Sequence, residues 1–128
     1  MSKKLIAGFS GAMASNDFTY ASMWLHPDFE YYMPQTGEYL RGREGFAAMN
    51  NAYSTEGTWA FSVRSIIGDD DAVVSDVEVM DGTLEARAIT FHTIKDDLIL
   101  RQKEFWPDSY PAPTWRAPWR RILDAPPF

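Results

Sequence analysis

Hydrophobic and polar residues alternate with two different periods along this chain, and the change falls near its middle. Leu5, Ile6, Phe9 and Met13 recur at helical spacing and predict a first helix over about residues 3–15, weakened by Gly8 and Gly11. Asn16-Asp17 offers an N-cap for a short second helix over 18–25, and His26-Pro27-Asp28 ends it, because the residue before proline avoids helical backbone. "FEYYMP" (29–34) reads as a strand and "QTGEYLRG" as a loop, and "REGFAAMNNAY" puts Phe46, Met49 and Tyr53 on one face of a third helix. After Gly57 the period becomes two. "TWAFSVRSII", "AVVSDVEVM", "TLEARAITFHTI" and "LILRQKEFW" read as four consecutive antiparallel strands, joined at "GDDD", Asp81-Gly82 and Asp96-Asp97. Helices first and antiparallel strands afterwards define an α+β fold.

Length and composition narrow the class. The chain has 128 residues, enough for one domain with a real core, and 45% hydrophobic with 15% aromatic residues is a globular composition. No apolar run approaches the ~20 residues of a membrane span, and "MSKKLIAGFSG" lacks the features of a signal peptide. The absence of cysteine removes disulfides, thiolate nucleophiles and Cys-ligated zinc, and fits a cytoplasmic location. A net charge of −6 argues against nucleic acid as partner. The charge is uneven: from Ser109 onward three arginines face one acid, Asp124, so that tail carries +2 and the rest −8.

The short turns allow a pairing estimate. A two-residue Asp81-Gly82 turn sets Asp76 opposite Arg87, and a two-residue Asp96-Asp97 turn sets Ile89 opposite Glu104. One face then carries Asp76, Glu78, Arg87, Phe91, Gln102, Glu104 and Trp106, and the other carries Val73, Ser75, Val77, Thr90, His92, Arg101 and Phe105. A single bulge would invert part of this register. Asp76, Arg87 and Glu104 form either a functional carboxylate–guanidinium cluster or a cross-strand ion ladder on a solvated or interface face. His92 falls on the opposite face, where dimer contact or solvent exposure is expected.

Three other features are set aside. "GFSGA" lacks the spacing and the preceding strand of a hydrolase nucleophile turn. Asp69-Asp70-Asp71 is a solvated turn. His26 and His92 on separate elements give no metal spacing, so no metal is expected.

"LHPDFEYYMP" followed by "LRGREGFAAM", then "VEVMDGTLEARAITFHTIKDDLILRQKEFW" and "WPDSYPAPTWR", resemble in order and spacing the SnoaL-like branch of the NTF2-like superfamily. The resemblance spans nearly the whole chain. It implies a strongly curved, mostly antiparallel sheet wrapping three N-terminal helices around a cone-shaped apolar pocket. A single domain over 1–128 is expected, and the prolines, tryptophans and arginines of 107–128 read as an irregular C-terminal clasp on the body or on a partner subunit. Such proteins include polyketide cyclases, ketosteroid isomerases and non-enzymatic binding proteins, so the fold leaves the activity open.

The same resemblance makes the Glu104 face the pocket side and puts Glu30 and Tyr32 in its wall. Glu30 stands where epoxide-hydrolase-like members carry Tyr, and Tyr32 where they carry Asn, which argues against epoxide hydrolysis. The expected catalytic set is therefore Glu104 or Glu30 as base, Tyr32 as oxyanion donor, and Arg87 with Asp76 beside them. The expected ligand wall is Met13, Trp24, His26, Met33, Met49, Phe91, Gln102 and Trp106, with methionines suiting an adaptable apolar site. The resulting expectation is a cofactor-independent cyclase or isomerase acting on a hydrophobic carbonyl compound. The alternatives are a non-catalytic binder of a small apolar or aromatic ligand, or a homodimerising module with a filled cone. A homodimer through the sheet is expected on either reading.

Overall fold

A computed structural model describes residues 2–52, 58–82 and 85–128. Three α-helices come early: α1 (Ser2–Ala14), α2 (Phe18–Ala21) and α3 (Gly42–Ala52). Six strands form one sheet: β1 (Leu25–Met33), β2 (Glu38–Arg41), β3 (Ala60–Gly68), β4 (Ala72–Met80), β5 (Glu85–Lys95) and β6 (Leu98–Phe105), in the order β2-β1-β6-β5-β4-β3. Only β1–β6 is a parallel pair among the described strands. The sheet is curled and unclosed, with the helices on its concave side.

α1 forms where the spacing predicts it, burying Ile6, Phe9 and Ala12. Gly8 is there for packing: a Cβ at that position would lie 3.0 Å from the Trp24 indole nitrogen. Asp17 caps α2 by accepting a hydrogen bond from the Tyr20 N–H at 2.9 Å. The second helix is shorter than expected. It yields to a 3-10 turn, Ser22–Trp24, and the chain is already extended at Leu25, so β1 runs straight through His26-Pro27-Asp28. Pro27 is tolerated because an extended backbone suits the proline φ, whereas a helix does not. "EYLR" within the expected loop is the short edge strand β2, paired to β1 through Tyr31↔Leu40. Tyr53, on the expected face of the third helix, lies outside the described residues.

The core joins α1, α3 and the concave sheet face. Phe29, Ile6, Leu25 and Ile99 are fully enclosed, and Phe46 meets Phe29 edge-on at 5.7 Å. A second cluster, Phe18, Trp59, Val77, Val79 and Ala88, closes the other end. Met23, on the 3-10 turn, is 65% exposed.

Two register differences decide which side chains face inward. Met80 pairs with Glu85, whereas the expected partner Thr83 lies outside the described residues, and Glu78 faces Arg87 while Asp76 faces Ile89. A shift of two leaves each side chain on its face. Between β5 and β6 the expected Lys95↔Leu98 pair is present, but a bulge follows: Ile94 pairs with Ile99 and Thr93 with Arg101, leaving Leu100 extra. From there on Thr90 pairs with Glu104 and His92 with Gln102. That one residue rotates β6 by one face relative to β5.

Candidate functional site

The concave face brings Tyr31 (β1), Ser75 (β4), Thr90 and His92 (β5), and Gln102 and Glu104 (β6) around one cavity of about 100 Å³. Phe9 and Met13 from α1 and Phe46 from α3 close its apolar side. The cavity shares Tyr31, Met49, Asn50, Glu104 and Trp106 with a wider, more polar vestibule of about 700 Å³, which Pro107, Asp108 and Ser109 also line. Glu104 and Trp106 therefore stand at the throat, and Ser75, His92 and Gln102 lie deeper.

Glu104 is the one carboxylate among the described cavity-lining residues. Three donors hold it: the Tyr31 hydroxyl at 2.6 Å, the Thr90 hydroxyl at 2.7 Å and the Trp106 indole N–H at 2.9 Å. A carboxylate has about four acceptor sites, so one remains for a ligand. Tyr31 is 3% exposed, and burial, followed by the charge of Glu104, pushes its ionisation far above the ordinary phenol range. It serves as a fixed donor.

The second polar group is a buried chain. The Ser75 hydroxyl lies 2.8 Å from His92 Nε2, and the Gln102 amide nitrogen 3.3 Å from His92 Nδ1. All three residues are 3% exposed. Burial pushes the His92 pKa down to about 4, so the ring is neutral at pH 7. Phe9 meets the ring edge-on at 6.3 Å.

Of the expected site residues, the fold gathers Glu104, Gln102, Trp106, Met13 and Met49 at the cavity, with Met33 and Arg87 bordering the vestibule. The rest are elsewhere. Glu30 and Tyr32 point outward, because Phe29 and Tyr31 take the buried side of β1. Glu30 accepts from Tyr39 at 2.7 Å and Arg101 at 3.2 Å, and these hydrogen bonds hold its carboxyl below the usual range. Arg87 and Asp76 form a two-pronged ion pair at 2.6 and 2.8 Å on the convex face, with Arg64–Glu78 nearby. The pair belongs to an ion ladder on that face, and Glu104 is not part of it. Phe91 is also convex, stacked edge-on to Phe105 at 6.0 Å. Trp24 packs under α1 on the core. His26 accepts from the Asp28 N–H through Nδ1 and faces Asp96 at 3.5 Å, away from the cavity. His92, expected on the outer face, is inside.

Ser75, Thr90 and His92 escape the sequence reading because it assigns the acidic side of β4 to the pocket, and Tyr31 escapes it because the resemblance favours Tyr32 in the wall. The alternation in "AVVSDVEVM" carried the opposite signal. Val73, Val77 and Val79 are buried, so Asp76 and Glu78 must face out. Among the described residues no group of three or more His, Asp or Glu is arranged to hold a metal ion.

Helices seated in a curled, unclosed sheet around an apolar cavity with a few convergent polar groups define a cone-shaped pocket protein of the NTF2-like type. The SnoaL-like domain profile matches residues 6–102, and the chain belongs to that family. The match ends two residues before Glu104. No curated protein sequence matches this one. Among solved structures, a candidate ketosteroid isomerase from Kribbella flavida is similar at a TM-score of 0.88 and 23% identity, over 97% of this chain and 90% of that one. An NTF-2 like protein of unknown function from Burkholderia xenovorans is similar at 0.79 and 20%, over 95% and 94%. An epoxide hydrolase of M. tuberculosis is similar at 0.67 and 16%, over 83% and 82%. At these identities the likeness is one of fold.

Proposed function

We propose that the cone holds a small apolar carbonyl compound and that Glu104 moves a proton on it, in an isomerase- or cyclase-type reaction. The carrying observation is the placement of Glu104: the one carboxylate among the described residues lining the apolar cavity, fixed by three donors with one acceptor site open. The C–H bond next to the carbonyl breaks, and its proton goes to the carboxylate. The electron pair forms a C=C bond, and the carbonyl pair moves to oxygen. The step needs a base and a hydrogen-bond donor to the oxygen. The fold shared with the Kribbella flavida candidate ketosteroid isomerase supports this class of chemistry.

The same three donors favour a second reading, in which Glu104 is a rigid acceptor for a ligand hydroxyl and the protein binds without catalysis. Titration of single-ring ketones, with proton NMR of their α-hydrogens in deuterium oxide, separates the two. Saturable binding with exchange, lost by about 10²–10⁴-fold in Glu104→Gln, supports proton transfer. Saturable binding without exchange supports the binder, and no binding of any ring compound contradicts both.

A further inference from the structure

The Glu104 reading leaves the deep Ser75–His92–Gln102 chain without a task. Ser75, Thr90 and Glu104 lie in one row across β4, β5 and β6, with His92 and Gln102 in the adjacent row. Two strand spacings of ~4.8 Å separate the backbones of Ser75 and Glu104 by roughly 10 Å, with Thr90 between them, and all three line the cavity. An amide nitrogen only donates, so with Gln102 Nε2 facing Nδ1 the neutral His92 ring carries its proton on Nε2. That proton is donated to Ser75 Oγ. The serine's own hydrogen is then left for an acceptor in the cavity. Every donor in the chain points the same way, from Gln102 through His92 to Ser75 and into the cone.

We infer that Ser75, oriented by His92 and Gln102, is the carbonyl-binding pole of the cone, and that the ligand head is a single six-membered cyclic ketone or enone lying between Ser75 and Glu104. This rests on the reading of Glu104 as the group facing the ligand's acidic C–H. The cavity of about 100 Å³ is smaller than the ~150 Å³ dry cavity that takes benzene, so one ring is its upper limit, with the far edge of that ring reaching the throat at Trp106. Any further bulk extends past Trp106 into the vestibule. On proton transfer the ring oxygen becomes an enolate, and the Ser75 hydroxyl hydrogen-bonds it.

The test uses cyclohexanone and its carbonyl-free counterpart methylenecyclohexane on the wild type, Ser75→Ala and Glu104→Gln. The wild type should bind cyclohexanone saturably and lower its infrared carbonyl stretch relative to an apolar solvent. Ser75→Ala should weaken cyclohexanone about tenfold and leave methylenecyclohexane unchanged or tighter, by the net value of one hydrogen bond. Nitrogen-15 NMR of wild-type His92 should show the Nε2–H tautomer, a readout that needs no variant to fold. An unshifted stretch, the Nδ1–H tautomer, equal loss of both probes in Ser75→Ala, or no saturable binding of either overturns the inference. If cyclohexanone binds through Ser75 yet exchanges no α-hydrogen, the catalytic reading of Glu104 fails and this pole stands. If exchange proceeds and Ser75→Ala changes neither rate nor affinity, the pole fails and Glu104 stands.

Discussion

Burial keeps His92 neutral at pH values where a solvated imidazole would take up a proton, and this links the site to stability. Its folded pKa of about 4 lies below the ordinary 6.5, so between these values the unfolded chain binds the extra proton. The stabilising contribution is complete above about pH 6.5 and is lost as pH falls toward 4, by about 3 kcal/mol in all. Denaturant unfolding at pH 7 and pH 4.5 should show this loss in the wild type and not in His92→Phe. Equal losses in both would place the titration elsewhere. Glu104→Gln should also destabilise, by about 1–3 kcal/mol, because an amide cannot accept all three hydrogen bonds from Tyr31, Thr90 and Trp106. A melting curve identical to the wild type would contradict that network.

At the scale of elements, order and type were legible because each long segment states its period. The helices over "KKLIAGF" and "REGFAAM" and the four late strands follow directly from spacing, and Asp17 signalled its cap. The inward face was legible for β4, where valines alternate with acids. It was not legible for β6, because "LILRQKEF" reads as a regular strand while the extra Leu100 is placed by its partner β5 and not by its own sequence. Glu104 and Gln102 reach the cavity through that bulge. Tyr31 versus Tyr32 was a choice of parity, settled by Phe29 entering the core. The edge strand β2 carries no periodic signal in four residues.

Turn geometry adds a test at this scale. Gly68 ends β3 at φ +150°, and a Cβ there would sit 2.2 Å from the Ala72 carbonyl oxygen. Gly68→Ala should cost at least about 1–3 kcal/mol, read by thermal or denaturant unfolding. A neutral effect would mean that the β3–β4 turn is built differently.

For the whole molecule, the tail is the part that the single chain leaves unaccounted for. Gln35 and Trp106 exchange two hydrogen bonds, fixing the start of the tail at the vestibule. Beyond Ser109 it lies open: Tyr110, Trp115 and Trp119 are 77%, 71% and 80% exposed, and the 3-10 segment Thr114–Trp119 buries nothing. Where the tail leaves the body, Pro107, Asp108 and Ser109 line the vestibule. The convex sheet face also exposes Ile67 and Phe91. We propose that a second copy covers both, the basic tail meeting the acidic body of its partner. Sedimentation at micromolar concentration should give twice the chain mass, and removal of residues 110–128 should lower it toward one. A monomer at that concentration would contradict the proposal. Among the described residues no helix is long and apolar enough to cross a membrane.

Glu104 stands inside the cone and Glu30 on its outer surface, and the proposed proton transfer requires the first of them to face the ligand. The most direct measurement is the rate of α-hydrogen exchange of cyclohexanone in deuterium oxide with the wild type, Glu104→Gln and Glu30→Gln at equal folded concentration. The predicted result is exchange by the wild type and Glu30→Gln alike, reduced about 10²–10⁴-fold in Glu104→Gln. Exchange that survives in Glu104→Gln and falls in Glu30→Gln would contradict it.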